Sequence, residues 1–87
     1  MTPRDAAQWM LDEVRRTGAL DHVCAVRHLL AASSSLIKWN REGQPMIRTA
    51  VLRAFRRIRG LDIVWAVDEY RWRPLQPGEK APWRWRR

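Results

Sequence analysis

Arginines at helical spacing in the second half of the chain are the residues best suited to chemistry. The apolar periodicity predicts a helix over residues 47–58. Thr49, Arg53 and Arg56 lie on its polar side, and Arg57 lies beside them. No acidic residue interrupts this stretch, so the cations have no ion-pair partner within their own helix. Guanidinium groups donate paired hydrogen bonds to phosphate oxygens and to guanine edges, so the pattern predicts a face that binds nucleic acid.

A second basic feature follows in a tryptophan-rich hairpin predicted over residues 63–73. Alternation places Tyr70 and Trp72 on one face of its second strand, with Arg71 and Arg73 on the other. Such a wing beside a basic helix would bring Arg71 and Arg73 to the adjacent phosphates. With about five phosphate contacts on duplex DNA, the logarithm of affinity would fall against the logarithm of salt with a slope of about −4.5.

The overall charge agrees with a polyanionic partner. Seventeen Lys and Arg oppose nine acidic residues for a net charge of +8, and fifteen of the seventeen are Arg. In so small a domain this surplus favours DNA, RNA or an acidic protein surface. The alternatives are a solvated basic face that binds nothing, or an Arg content that reflects a GC-rich genome.

Metal and cofactor chemistry has weak support in the sequence. His22, Cys24 and His28 are metal-binding types, and Cys24 and His28 are one helical turn apart. Structural zinc normally takes four nitrogen or sulfur ligands, and Cys24 is the only cysteine. We therefore expect no metal and no cofactor, and a buried thiol beside a histidine is the simpler interpretation.

Enzymatic chemistry is also weakly supported. Three serines at 33–35 lie near His28 and Asp21, but they lack a glycine-flanked nucleophile turn. The four glycines are scattered, so no glycine-rich phosphate loop exists. We expect a binding module with no catalytic residues and no small-molecule substrate.

The chemistry-bearing stretches must be positioned by elements that the rest of the sequence predicts. Thr2, Pro3 and Asp5 are typical of a helix start, and Gly18 is typical of its end. The apolar side of this first helix carries Ala6, Ala7, Met10, Leu11 and Val14, with Trp9 at the edge as a rim residue over the core.

A second helix and a hairpin follow. Asp21 is a suitable cap for a helix that runs to about residue 32. This helix has few polar residues, so we expect it to be the most buried of the three. Residues 19–20 before it are a candidate short strand. Residues 36–39 and 45–47 predict two strands around a turn at 40–43.

These elements predict an α+β fold. Three helices and a C-terminal hairpin follow the order of a small winged-helix-like domain, with an extra hairpin between helices two and three in place of the usual tight turn. The domain covers residues 1–74. Residues 75–87 form a Pro/Trp/Arg-rich tail that we expect to order only on contact with a lipid surface, unpaired bases, a partner or the domain's own apolar rim.

At residue level the chain resembles a family of small bacterial proteins of unknown function. The shared residues, across roughly 3–74, are Ala7-Gln8-Trp9-Met10-Leu11, Asn40-x-x-Gly43, Val51-Leu52-x-Ala54-Phe55-Arg56, Val64-Trp65 and Trp72-Arg73. These are mostly structural positions, so the resemblance implies a fold and carries over no catalytic residue. The chain departs from the family in its serine run and in the ending at 82–87.

The sequence therefore predicts a non-enzymatic nucleic-acid-binding module, with DNA as the first target and a homodimer as one arrangement. The alternative is a protein-interaction module in which exposed Trp9, Trp39 and Tyr70 are ringed by Arg. A single cysteine, a polar start and the lack of a 20-residue apolar run predict a cytoplasmic protein without a transmembrane segment.

Overall fold

A computed structural model describes residues 1–60 and 62–79. It is a small α+β fold with three helices and antiparallel strands, compatible with a winged-helix-like domain, as predicted. The helices are α1 (Pro3–Thr17), α2 (His22–Ala32) and α3 (Thr49–Ile58). The strands are β1 (Leu20–Asp21), β2 (Ile37–Trp39), β3 (Pro45–Ile47), β4 (Ile63–Ala66) and β5 (Arg71–Pro74).

Helix α1 has the predicted ends. The Thr2 hydroxyl accepts a hydrogen bond from the Asp5 N–H, and the Asp5 carboxylate accepts one from the Thr2 N–H, which completes a capping box. Gly18 adopts the left-handed conformation at φ 89° and donates its N–H to the Val14 carbonyl. The predicted apolar side is fully buried, so α1 is the central helix of the core.

Helix α2 begins as predicted but is not the most buried helix, so that prediction was wrong. Asp21 caps it by accepting hydrogen bonds from the N–H groups of Val23 and Cys24. The helix buries three residues, whereas α1 buries five, and Val23 is 51% exposed. The low number of polar residues did not make α2 a buried helix, because burial is confined to one side, at Ala25, Val26 and Leu29.

The cap of α2 yields a stability prediction. Replacing Asp21 by Ala leaves two backbone N–H groups of the first turn without their acceptor, so we expect a loss of about 1 kcal/mol in the free energy of unfolding. Urea denaturation followed by circular dichroism measures the loss. Asp21→Asn keeps an acceptor oxygen and should retain most of the stability; an equal loss in both variants would contradict the role of the cap.

The main sheet has the strand order β1-β5-β4, and all its pairs are antiparallel. The predicted short strand exists one residue later than expected, with Leu20 opposite Trp72. Trp65 also lies opposite Trp72, at a ring-centroid distance of 4.5 Å, and such a cross-strand aromatic pair stabilises a short hairpin. We call the β4–β5 hairpin the wing.

The extra hairpin between α2 and α3 is confirmed. Strands β2 and β3 pair antiparallel, with Ile37 opposite Ile47. In the turn, the Asn40 side-chain oxygen accepts hydrogen bonds from the N–H groups of Glu42 and Gln44. Leu36, predicted in the strand, lies in a short 3-10 turn instead, where its backbone N–H bonds to the Ser33 carbonyl.

Helix α3 starts at Thr49, two residues later than predicted, because Ile47 is taken up by β3. It packs mainly against α1, and its buried residues are Val51 and Phe55. The Phe55 ring meets Trp72 of the wing edge to face, at a centroid distance of 5.7 Å. Both contacts hold the inner side of α3, so its outer side is left to solvent.

The chain continues past β5 along the wing. The Leu75 N–H donates to the Asp62 carbonyl at 2.6 Å, and Glu79 returns to contact Arg73. The first part of the predicted tail thus has defined contacts with the domain. The rest of that prediction, including Trp83 and Trp85, falls on residues 80–87, outside the described residues.

Candidate nucleic-acid interface

The outer side of α3 carries the arginines that the sequence singled out. Arg53, Arg56 and Arg57 are exposed, and we call them the basic face. Within the described residues none of the three forms an ion pair with a carboxylate. Thr49 is also exposed, and its hydroxyl accepts a hydrogen bond from the Lys38 ammonium at 3.4 Å. The structure therefore brings the predicted helix residues together as one cationic surface.

The wing arginines are in a different situation. Arg73 is 9% exposed, and its guanidinium donates two parallel hydrogen bonds to Glu79, at 2.9 and 2.8 Å. Its Nε also donates to Glu69, at 3.0 Å, and the Nε of Arg71 donates to the same carboxylate at 2.7 Å. Two glutamates thus offset the two wing cations, so the geometry does not favour Arg71 and Arg73 as phosphate ligands.

These contacts shift the pKa of both carboxyl groups. Hydrogen bonds from Arg73 lower the pKa of Glu79 to about 2, with a further contribution from the Gln76 N–H. Hydrogen bonds from Arg71 and Arg73 lower the pKa of Glu69. Each carboxylate is therefore held ionised against the wing.

The Glu79 shift predicts acid sensitivity. A folded pKa of about 2, against an ordinary value of 4.5, means that this contribution to stability is present above pH 4.5 and is lost as the pH falls towards 2. We expect the melting temperature of the protein to drop across that window, and the drop to be smaller in Glu79→Gln, which cannot ionise. Thermal unfolding at several pH values measures both. If the melting temperature of the two proteins fell equally with pH, the ion pair would be contradicted.

An aromatic groove of about 560 Å³ opens beside the basic face. Its principal lining residues are His22, Met46, Arg56, Trp65, Tyr70 and Trp72, with Arg59 at one wall. Arg56 thus belongs both to the basic face and to the groove. Burial, followed by the nearby charge of Arg56, lowers the pKa of Arg59, so this wall is a crowded cationic site.

Tyr70 lies at the turn of the wing rather than in the strand where alternation had placed it. It adopts the left-handed conformation at φ 56°, and 55% of the residue is exposed to solvent. Its ring meets His22 and Trp65 at centroid distances of 4.9 and 5.3 Å, both edge to face. These contacts hold Tyr70 at the mouth of the groove.

The other aromatic residues proposed for an interface differ in access. Trp39 is 59% exposed on β2. Trp9 is half-buried and lies flat on His28, with ring centroids 3.8 Å apart and an interplanar angle of 3°. Trp9 also packs against the buried core, so it is a rim residue over the core, as its position at the edge of the apolar stripe predicts.

The histidines and the cysteine do not converge. In the described part of the chain, no three His, Cys, Asp or Glu side chains lie close enough to hold a metal ion. Cys24 is exposed, so the predicted buried thiol is wrong. His22 lines the aromatic groove and His28 stacks on Trp9, because residues six positions apart in a helix project about 120° away from each other.

Sequence reasoning missed the groove, since its residues come from α2, β3, α3 and the wing. The one local signal was the clustering of Trp65, Tyr70 and Trp72 in a single hairpin.

Among the described residues, no helix has the length and apolarity needed to cross a membrane.

The comparisons with known proteins give a family but no activity. No curated protein and no solved structure matches the chain. A family model does match residues 2–74, which is the span from the α1 cap to the last residue of β5. The chain belongs to the family of unknown function DUF6953.

Proposed function

We propose that this protein is a non-enzymatic nucleic-acid-binding module that holds a phosphate backbone, with DNA as the first target, on the basic face of α3. The observation that supports it is the contrast between two sets of arginines. The wing cations are neutralised by Glu69 and Glu79, whereas the described residues supply no carboxylate to Arg53, Arg56 or Arg57. Like charges left uncompensated on one helix face repel one another, and a phosphate backbone would offset that repulsion.

The size of α3 suits this role. An α-helix with its side chains is about 10–12 Å across, which fits the major groove of DNA, about 12 Å wide, and the ten residues of α3 make it about 15 Å long. Three guanidinium groups on one face would contact about three phosphates, fewer than the five expected when the wing was included. The corrected slope of log affinity against log salt is about −2.7 on duplex DNA.

The experiment is a fluorescence-anisotropy titration of a labelled 20-base-pair duplex. Sequence-independent binding through a few phosphates has a dissociation constant on the order of 1–100 μM at physiological salt, and it tightens at low salt. An absence of binding even at about 50 mM salt would refute the proposal, because electrostatic attraction is strongest there.

The non-enzymatic part of the proposal is supported by the use of the carboxylates. Asp5 and Asp21 cap helices, while Glu13, Glu69 and Glu79 pair with arginines. Hydrogen bonds lower the pKa of Asp5, Glu69 and Glu79, so these three acids are poor proton donors near neutral pH. The single cysteine is in keeping with a reducing cytoplasm, which we propose as the compartment.

A protein partner is the second candidate, and the exposure of Trp39 and Tyr70 favours it. An interface centred on aromatic residues would persist at high salt, whereas phosphate binding would collapse. Co-purification from lysate with and without nuclease, washed at high salt, distinguishes the two. A protein retained after both treatments would support this second candidate.

A further inference from the structure

The aromatic groove has the dimensions of a ligand site. Its volume of about 560 Å³ lies within the roughly 300–1,000 Å³ that is usual for sites that take small molecules. Its aromatic walls come from separate elements: His22 from α2, Trp65 from β4, and Tyr70 and Trp72 from the turn and second strand of the wing. The groove is therefore assembled by the fold of the whole domain and not by the wing alone.

The rings in the groove leave π surface that their neighbours do not cover. His22, Trp65 and Tyr70 meet one another edge to face, with interplanar angles of 61–72°. Edge-to-face contact covers at most one face of one ring in each pair, in contrast to the flat stack of Trp9 on His28. Tyr70, at the mouth of the groove, is more than half exposed. A flat ring from outside could therefore stack here.

The charge at the groove selects the kind of flat ring. Arg56, which forms no ion pair with a carboxylate among the described residues, lines one wall, and no described carboxylate lines the groove. A cationic wall repels a second copy of this basic chain and attracts a ligand that carries negative charge close to an aromatic ring. A nucleotide combines both features, with a base and a phosphate a few bonds apart.

The groove is also continuous with the basic face through Arg56. A strand whose phosphates lie along α3 would bring a neighbouring base to the mouth of the groove. In a duplex the base is paired and stacked within the helix, and so it cannot enter. In a single strand the base is available, and stacking on aromatic side chains tolerates any sequence.

We infer that the aromatic groove binds an unpaired nucleobase, so that the preferred target of the protein is a single-stranded segment of nucleic acid. This inference rests on the proposed function, because the basic face supplies the backbone contacts that deliver the base. Tyr70 supplies the stacking surface at the mouth, and Arg56 binds the phosphate of the stacked nucleotide. An aromatic protein segment is the competing occupant; it would lack the regularly spaced phosphates that the basic face requires.

The test compares two labelled strands of twenty units, one of thymidines and one of abasic deoxyribose phosphates. Both carry the same backbone charge, and only the first carries bases. Anisotropy titrations at a single salt concentration should show about tenfold tighter binding of the thymidine strand by the full-length protein. In Tyr70→Ala that ratio should fall towards one while affinity for the abasic strand stays unchanged. Tyr70→Phe, which keeps the ring, should preserve the ratio.

Trp39→Ala is the matched control, because Trp39 is as exposed as Tyr70 but lies outside the groove. It should leave the ratio unchanged. Equal binding of both strands by the unaltered protein would overturn the inference while leaving phosphate binding intact. Binding of neither strand would refute the proposed function itself. A dimer in sedimentation velocity that Tyr70→Ala converts to monomer would also overturn the inference, since a second copy would then occupy the groove.

Discussion

Replacing Arg53 and Arg57 together by alanine is expected to weaken binding to duplex DNA about a hundredfold. Each guanidinium is exposed on α3, and the described residues give it no carboxylate partner, so its full charge is available to a phosphate. A hydrogen bond to a charged group contributes about 1.5–3 kcal/mol, and about 1.4 kcal/mol corresponds to a factor of ten. Anisotropy titration of the labelled duplex measures the loss.

The matched control removes the same charge elsewhere. Arg15 and Arg27 are exposed on α1 and α2, and Arg15→Ala with Arg27→Ala lowers the net charge equally. This pair should weaken binding only a few-fold, through the weaker long-range field. The thermal stability of both double variants should stay near that of the original protein, because surface substitutions usually change stability by less than about 0.5 kcal/mol. Equal losses of affinity in the two variants would show that overall charge, and not α3, drives binding.

Phe55→Ala is expected to cost about 3–5 kcal/mol in the free energy of unfolding. Phe55 is 2% exposed and joins α3 to Trp72 of the wing, so its removal leaves a cavity between the helix and the sheet. Domains of this size are stable by only about 5–15 kcal/mol, and the melting temperature should fall by roughly 20 °C. Thermal unfolding followed by circular dichroism measures it.

Phe55→Leu is the control for this position, because it keeps most of the apolar volume and should cost less than about 1.5 kcal/mol. A loss below about 1 kcal/mol in Phe55→Ala would contradict the packing described for α3. The outward direction of the basic face would then lose its structural support, since that direction follows from the burial of the opposite side of the helix.

The parts of the fold that the sequence predicted are those with local signals. The α1 cap depends on Thr2 and Asp5, which are three residues apart, and the turn at Asn40 depends on backbone groups within four residues. The cap of α2 by Asp21 has the same short range. Hydrogen bonds of this kind join residues only a few positions apart in the sequence, so the residue types alone predict them.

Other features depend on contacts between distant parts of the chain. Ile47 fits the apolar arc of α3, but pairing with Ile37 places it in β3. The burial of α2 depended on which neighbours cover it, which periodicity does not reveal. Arg73 was predicted to contact a phosphate. Only the structure shows that the chain returns at Glu79, whose carboxylate pairs with the guanidinium of Arg73.

The candidate site divides in the same way. The basic face follows from the spacing of Arg53, Arg56 and Arg57 on one helix, so the sequence was sufficient to predict it. The aromatic groove brings His22 and Tyr70 together across nearly fifty residues of chain. Hydrophobic patterning predicts which residues are apolar, but it does not predict which of them assemble around an open space.

The measurement that tests the central claim most directly is the salt dependence of DNA binding in the unaltered protein and in Arg53→Ala with Arg57→Ala. If α3 holds about three phosphates, the logarithm of affinity should fall against the logarithm of salt with a slope of about −2.7 in the original protein. The double variant should reduce the slope to about −0.9. Identical slopes for the two proteins would contradict phosphate binding by the basic face, whatever their affinities.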